Sequence, residues 1–287
     1  MRSLWMLAAS FFFALMGAFV KMGAADFSSL ELVGYRSVCG VILLGAWIFA
    51  TGRTIRTPYL LGHFKRCFIG TFSMSIWFYS LGRLPLATGL TLNYTNPLFM
   101  AAIIAFLAFR KKEGVPWGLV LATITGFVGV VLMLHPTIGA GQTVPALIGL
   151  FSGLLATFVG LQIRELARVH EPTWRIVFYF TLFGTVWGFA GHLIVSGPFS
   201  PLSLQSALPL IGIGLSATAA QLCMTQSFGV SNILVASILQ YTAIIFAALF
   251  GFLFFGDAIA PDELFGIAVI AASSVAATFF IKAGRKP

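Results

Sequence analysis

The sequence predicts an all-α membrane protein of ten transmembrane helices, arranged as two five-helix repeats of inverted topology with both termini in the cytoplasm. Three observations carry this reading. Of the 287 residues, 59% are hydrophobic and only 9% charged, whereas a soluble domain carries roughly 25% charged residues to cover its surface. The apolar residues fall in runs long enough to cross a bilayer core about 30 Å thick at 1.5 Å of helix rise per residue. The chain also matches itself at a nearly constant offset.

The runs give candidate spans at 4–22, 30–50, 66–82, 86–109, 115–134, 143–163, 173–195, 204–228, 233–255 and 263–281. Each stops at helix breakers, among them Thr51-Gly52-Arg53, His135-Pro136, Gly139-Ala140-Gly141, Ser196-Gly197-Pro198 and Gly256-Asp257. The first run follows Arg2 and ends near Gly23-Ala24-Ala25, as a signal peptide would. At about 18 residues it is long for a signal core, and it has a counterpart in the second half, so it is read as a retained helix. The pairs Gly149/Gly153 and Gly184/Gly188 mark close helix packing.

A net charge of +9 would suggest nucleic acid for a soluble protein, but here the Lys and Arg residues are read loop by loop. Of the 17, 14 fall on one side of a ten-span map. They are Arg2; Arg53, Arg56, Lys65 and Arg66; Arg110, Lys111 and Lys112; Arg164, Arg168 and Arg175; and Lys282, Arg285 and Lys286. Only Lys21 and Arg83 fall on the other side, and Arg36 lies within a span. The basic side is cytoplasmic, which places both termini inside. Cys39, Cys67 and Cys223 sit in or beside apolar runs without CxxC or Cys/His spacing and are read as buried thiols.

The self-match divides the membrane domain into residues 1–140 and 141–287. Tyr79-Ser80-Leu81-Gly82 falls on Gln226-Ser227-Phe228-Gly229, and Asn93-Tyr94-Thr95 on Gln240-Tyr241-Thr242, both 147 residues on. Nearer the start the offset is 143 or 144, pairing Gly17 and Lys21 with Gly160 and Arg164, and Tyr35 and Gly40 with Tyr179 and Gly184. Five spans per copy is an odd number, so the second copy crosses the membrane in the opposite sense.

Paired five-helix halves, Arg36 in the second span, Tyr-Ser-Leu-Gly ending the third, and Pro97 in an Ala-rich fourth span before a basic turn resemble the drug/metabolite transporter superfamily, EamA type. Within it the chain is most similar to YddG-type bacterial amino-acid exporters. The resemblance covers essentially the whole chain. It implies an inner-membrane carrier that exports amino acids. The second copy has Ile244 where the first has Pro97, so a bend in the ninth span is not implied.

Polar side chains in hydrocarbon are costly unless they face protein or water, so those inside spans are the candidates for a site. In the fourth span Asn93, Asn96, Pro97 and Met100 share one helix face, with Tyr94 beside them. Pro97 is the expected hinge, since it removes one backbone bond. The ninth span repeats the stripe with Ser237, Gln240, Tyr241 and Ile244. Trp77 and Tyr79 in the third span and Gln221 in the eighth complete the expected lining. Arg36 is a candidate fork for a substrate carboxylate, with pairing to Glu31 or to a nearby carbonyl as the structural alternative.

No Asp or Glu lies near the centre of a span, which favours uniport or exchange over proton coupling. No HExxH, GxSxG or GxxxxGK[ST] occurs, so neither enzyme chemistry nor ATP binding is indicated. The expected function is a secondary transporter of small amphiphilic metabolites, amino acids first, working by alternating access without a cofactor. Export of drugs or of metabolites such as nucleosides is the alternative, with a channel or receptor behind it. The implied partners are the small-molecule substrate and the lipid bilayer, with no nucleic acid. The oligomeric state is open, a monomer being one option.

Overall fold

The computed structural model describes residues 4–23, 26–81, 83–84, 86–256 and 260–283. Arg2, Gly82, Asp257, Arg285 and Lys286 lie outside them. The described residues form helices and connections only. These are α1 Leu4–Gly23, α2 Ser29–Ala50, α3 Leu60–Leu81, α4 Leu86–Asn93, α5 Asn96–Arg110, α6 Trp117–Leu134, α7 Thr143–Arg168, α8 Thr173–Val195, α9 Leu204–Val230, α10 Ile233–Leu239, α11 Thr242–Phe250 and α12 Pro261–Ala283, with a π-helical turn Gly251–Phe255 extending α11.

Nine helices among the described residues are long and apolar enough to cross a membrane, with residues 88–110 and 233–255 each counted as one. The helix outside this set is α3. It begins at Leu60, just after Pro58, six residues before the predicted start of the third span. That start corrects the sequence reading, because His63 and Lys65 enter the helix with it and Arg66, the first residue of the predicted span, moves six residues inside. Arg66, counted with the cytoplasmic basic residues at the start of its span, is 2% exposed.

Helix pairing follows the repeat. α1 packs on α9, and its counterpart α7 packs on α3; α2 packs on its own counterpart α8, and α6 on α12. The two self-paired interfaces depend on glycine. A Cβ added to Gly188 would stand 2.5 Å from the Gly34 nitrogen, and one on Gly266 would stand 2.8 Å from the Gly129 carbonyl. Close backbone approach of this kind is how helices associate where no hydrophobic effect drives them together.

The two ends of the α2–α8 pair are clasped by carboxylates. Ser28 caps α2 in a capping box with Glu31. Glu31 also accepts hydrogen bonds from the Ser200 amide at 2.7 Å and the Ser200 hydroxyl at 3.0 Å, and it stands 3.7 Å from His192. At the other end Glu171 accepts from the Thr57 hydroxyl at 2.5 Å, from Arg175 at 3.0 Å and shares a 3.3 Å contact with His63 Nε2. Thr57 and Ser200 are 143 residues apart, the offset of the repeat. Each half therefore supplies one carboxylate and one hydroxyl to the other.

The Glu171 clasp lies in a connection and makes stability pH-dependent. Burial alone would raise the carboxyl's pKa, but the Thr57 hydroxyl and the Arg175 guanidinium outweigh it and hold the group below its ordinary 4.5. A carboxylate with a depressed pKa contributes stability in full above the ordinary value and loses it as pH falls through the lower, folded value. Melting curves in detergent should therefore show an acid-side fall that is reduced in Glu171→Gln. At neutral pH the same variant should melt a few degrees below the parent, as losing charge-assisted bonds worth about 1.5–3 kcal/mol requires.

Candidate functional site

Two helices that the sequence reads as continuous are broken, and the breaks coincide in the repeat. α4 ends at Asn93 and α5 begins at Asn96; α10 ends at Leu239 and α11 begins at Thr242. Pro97 occupies the first turn of α5, where proline fits best. Its absence from the second copy does not prevent a break there. The shared cause is Leu-(Asn/Gln)-Tyr-Thr. The Thr95 hydroxyl donates to the Leu92 carbonyl at 2.6 Å, and the Thr242 hydroxyl to the Leu239 carbonyl at 2.6 Å. Such back-bonding competes with the helix ladder. Backbone bonds tighten to i→i+3 at both places, with the Thr95 amide on Leu92 and the Gln240 and Tyr241 amides on Ser237 and Ile238.

Neighbouring helices support each break. A Cβ at Gly153 of α7 would stand 2.5 Å from the Thr95 hydroxyl and 2.8 Å from the Leu92 carbonyl, so only glycine lets α7 reach the first break. At the second, Ser10 of α1, which is 143 residues before Gly153, donates to the Leu239 carbonyl at 3.2 Å. The Pro145, Gly149 and Ser152 stretch of α7 completes the frame. Ser80 donates to the Pro145 carbonyl at 3.0 Å and Ser73 to the Ser152 carbonyl at 2.9 Å.

The amides of the breaks join the halves. Asn96 Nδ2 donates to Gln240 Oε1 at 3.3 Å, and Asn93 Nδ2 to the Ser152 hydroxyl at 3.2 Å. Tyr94 and Tyr241 pack with the main apolar core. Tyr241 is turned toward α6 and α12, where its ring would stand 2.7 Å from a Cβ on Gly126. Trp77 donates its indole N–H to the Gly89 carbonyl at 3.1 Å. Tyr79 is 42% exposed and carries the Arg83 guanidinium 3.8 Å above its ring. A separate groove of about 560 Å³ between α2, α8 and α9 is lined mainly by apolar side chains such as Trp47, Trp174 and Leu215 and holds none of the predicted residues.

Gln221 leads to a second polar cluster, which sequence reasoning missed by leaving Arg66 at the very edge of its span. The Arg66 Nη2 donates to Gln221 Oε1 at 3.3 Å. Its guanidinium carbon lies 4.2 Å from the centre of the Phe180 ring, and that of Arg36 lies 6.0 Å from the same ring. Gly70 makes the room, since a Cβ there would collide with Arg66 Nη1. Arg36 does not pair with Glu31, which is committed to Ser28 and Ser200. Its Nη1 reaches only the Met74 sulfur, at 3.1 Å. The signal available in sequence was Pro58 followed by Tyr59-Leu60-Leu61, a helix start ahead of the charges.

The repeat is broken in one respect. Arg164 of α7 donates to the carbonyls of Phe228, Gly229 and Ser231 at the end of α9. α7 and α9 pack together there. Among the described residues their counterparts α1 and α3 meet at most at isolated positions. Lys21, the counterpart of Arg164, lies over the Phe255 ring at 3.9 Å.

Known proteins share this architecture. A solved crystal structure superposes with a TM-score of 0.83 over 96% of this chain and 98% of its own, at 19% identity, which bears on the fold alone. The pseudopaline exporter of Pseudomonas aeruginosa (strain UCBPP-PA14) is 29% identical over 260 residues, covering 89% of this chain and 87% of its own length. The riboflavin transporter of Vibrio cholerae serotype O1 is 25% identical over 293 residues, covering 96% and 91%. The S-adenosylmethionine uptake transporter of Rickettsia felis matches a shorter part, at 28% identity over 38% of this chain and 36% of its own. The sequence pattern of the EamA-like transporter family matches twice, over residues 2–135 and 143–279. The chain is a multi-pass membrane protein that belongs to the EamA-like transporter family of the drug/metabolite transporter superfamily, a family of transporters and not of enzymes.

Proposed function

We propose that this protein is a ten-span secondary carrier of a bacterial inner membrane that exports small metabolites, amino acids first, by alternating access and without obligatory proton coupling. The observation that carries this reading is the meeting of two broken helices from the two halves at Asn96 and Gln240. Discontinuous helices at a repeat interface, with amides and freed carbonyls between them, form the usual substrate site of inverted-repeat carriers. The one-sided packing of α7 on α9 supports alternation. With the termini inside, the Arg164 contacts close the cytoplasmic side, and the symmetric contact between α1 and α3 is the one a switched state would make.

Relatives named for pseudopaline, riboflavin and S-adenosylmethionine favour a second reading, in which the cargo is a larger metabolite than an amino acid. Counterflow in proteoliposomes, screened with amino acids, nucleosides, riboflavin and amphiphilic drugs, separates the two. Saturable exchange identifies a carrier, and unsaturable flux a channel.

The topology rests on the basic loops. Reporter fusions after His135 and Ser196 should report the exterior, and fusions after Arg56 and Lys111 the cytoplasm. A cytoplasmic signal from the connection around Gly139 would overturn the ten-span map.

Energetics follow from the placement of the acids. Glu31 and Glu171 are both engaged at helix ends. An imposed pH gradient at zero substrate gradient should drive no net accumulation in proteoliposomes. Uphill accumulation under that gradient would disprove uniport and exchange alike.

Asn93→Ala and Gln240→Ala should each weaken apparent substrate affinity by a few-fold to tenfold. A hydrogen bond contributes about 0.5–1.5 kcal/mol, and 1.4 kcal/mol is tenfold in dissociation constant. Thr278→Ala is the control, since Thr278 is half-buried on α12 and its hydroxyl donates to the Val275 carbonyl of its own helix. If the amides serve only to join the halves, the same variants will melt lower while binding substrate with unchanged affinity.

A further inference from the structure

Arg36 and Arg66 are cations inside the helix bundle that no anion among the described residues matches. Arg36 is 7% exposed and Arg66 2%. Arg36 sits seven residues into α2 and Arg66 six into α3, each about 10 Å along its helix. Because both lean on Phe180, at 6.0 and 4.2 Å, their guanidinium carbons are within about 10 Å of each other. Arg66 Nε and Nη1 are buried without a hydrogen-bond acceptor. The Thr225 hydroxyl, one turn beyond Gln221 on α9, is likewise buried and unpartnered. Of the seven acidic residues among the described ones, Glu31 and Glu171 are already engaged, and Asp26, Glu113, Glu165, Asp262 and Glu263 lie in connections or helix ends. Among the described residues no carboxylate stands within ion-pair distance of either arginine.

A buried guanidinium without a counter-charge is strongly disfavoured, and two in one cluster repel as well. The fork of N–H donors on each is matched to a planar oxyanion, which it binds with charge-assisted bonds. We infer that the Arg36–Arg66 pair is the seat of a carboxylate carried by the substrate, held over the face of Phe180 with Gln221 and Thr225 beside it. This rests on the carrier reading and deepens it: the cargo is an organic acid or a zwitterion with at least one free carboxylate. Neutral nucleosides and cationic amphiphiles are excluded as preferred cargo. The carboxylate completes the charge of the site only while bound, which gives the loaded protein a stability that the empty protein lacks.

The test uses the full chain purified in detergent. Melting temperature is titrated with succinate, L-glutamate and L-phenylalanine, and in parallel with succinamide and L-phenylalaninamide as neutral twins and with chloride and phosphate as inorganic anions. The carboxylates should raise the melting temperature saturably while their amides do not. Arg66→Gln and Arg36→Gln should each raise the apparent dissociation constant of the best carboxylate at least tenfold. Arg66→Lys, which keeps the charge and loses the fork, should fall between. Without ligand Arg66→Gln should be at least as stable as the parent, because an unmatched buried charge has been removed.

Equal stabilisation by acids and amides would overturn the seat, as would stabilisation by chloride or phosphate alone or by no carboxylate. A lower melting temperature for empty Arg66→Gln with carboxylate affinity intact would show a structural arginine and overturn it too. Counterflow of the same compounds keeps the two ideas separable. Saturable exchange that ignores the carboxylate preserves the carrier and removes the seat; carboxylate binding that depends on Arg66, with no exchange of any compound, preserves the seat and removes the carrier.

Discussion

Hydrocarbon offers no partner to a backbone N–H or C=O, so every interruption of a helix at membrane depth has to be satisfied by the protein itself. That constraint organises this structure. The breaks after Asn93 and Leu239 leave carbonyls that the helix ladder would otherwise occupy, and Thr95 and Thr242 return their hydroxyls to Leu92 and Leu239. Gly153 and Ser10 bring α7 and α1 against the same two places. Because the breaks are closed in this way, their amide side chains are released to meet across the repeat, as Asn96 and Gln240 do.

Charge is distributed by the same logic. The two deeply engaged carboxylates, Glu31 and Glu171, stand at opposite ends of the α2–α8 pair and tie each half to a hydroxyl of the other. They hold the frame. Between them, among the described residues, the bundle carries the cations Arg36 and Arg66, resting on an aromatic ring and an amide. A ring face and an amide oxygen are weak counterparts for a full charge, which distinguishes this cluster from the closed networks at the helix ends.

The departures from repeat symmetry are as informative as its agreements. Arg164 binds three carbonyls at the end of α9, whereas Lys21 at the equivalent place lies over Phe255. Among the described residues α7 and α9 are thereby drawn together, whereas α1 and α3 meet at most at isolated positions. Under the carrier reading proposed above, exchanging these contacts between the two halves would give the second arrangement that alternating access requires.

The membrane class, the approximate course of the helices and the repeat follow from the sequence alone, because a bilayer sets the length of apolar runs and the Asn-Tyr-Thr to Gln-Tyr-Thr match lies in local order. The candidates in the fourth and ninth spans were legible for the same reason. Three matters were decided only by tertiary structure. The ninth span breaks without a proline, because Thr242 does what its residue type permits only when a neighbouring helix stabilises the bent form. Tyr241 turns to α6 and α12, because Gly126 leaves space there. Arg66 lies well inside the bundle and not at the edge of its span, because helix α3 begins at Leu60 and Gly70 leaves room for its guanidinium. In each case the outcome depends on the shape of a facing helix, which no periodicity or charge count along one chain contains.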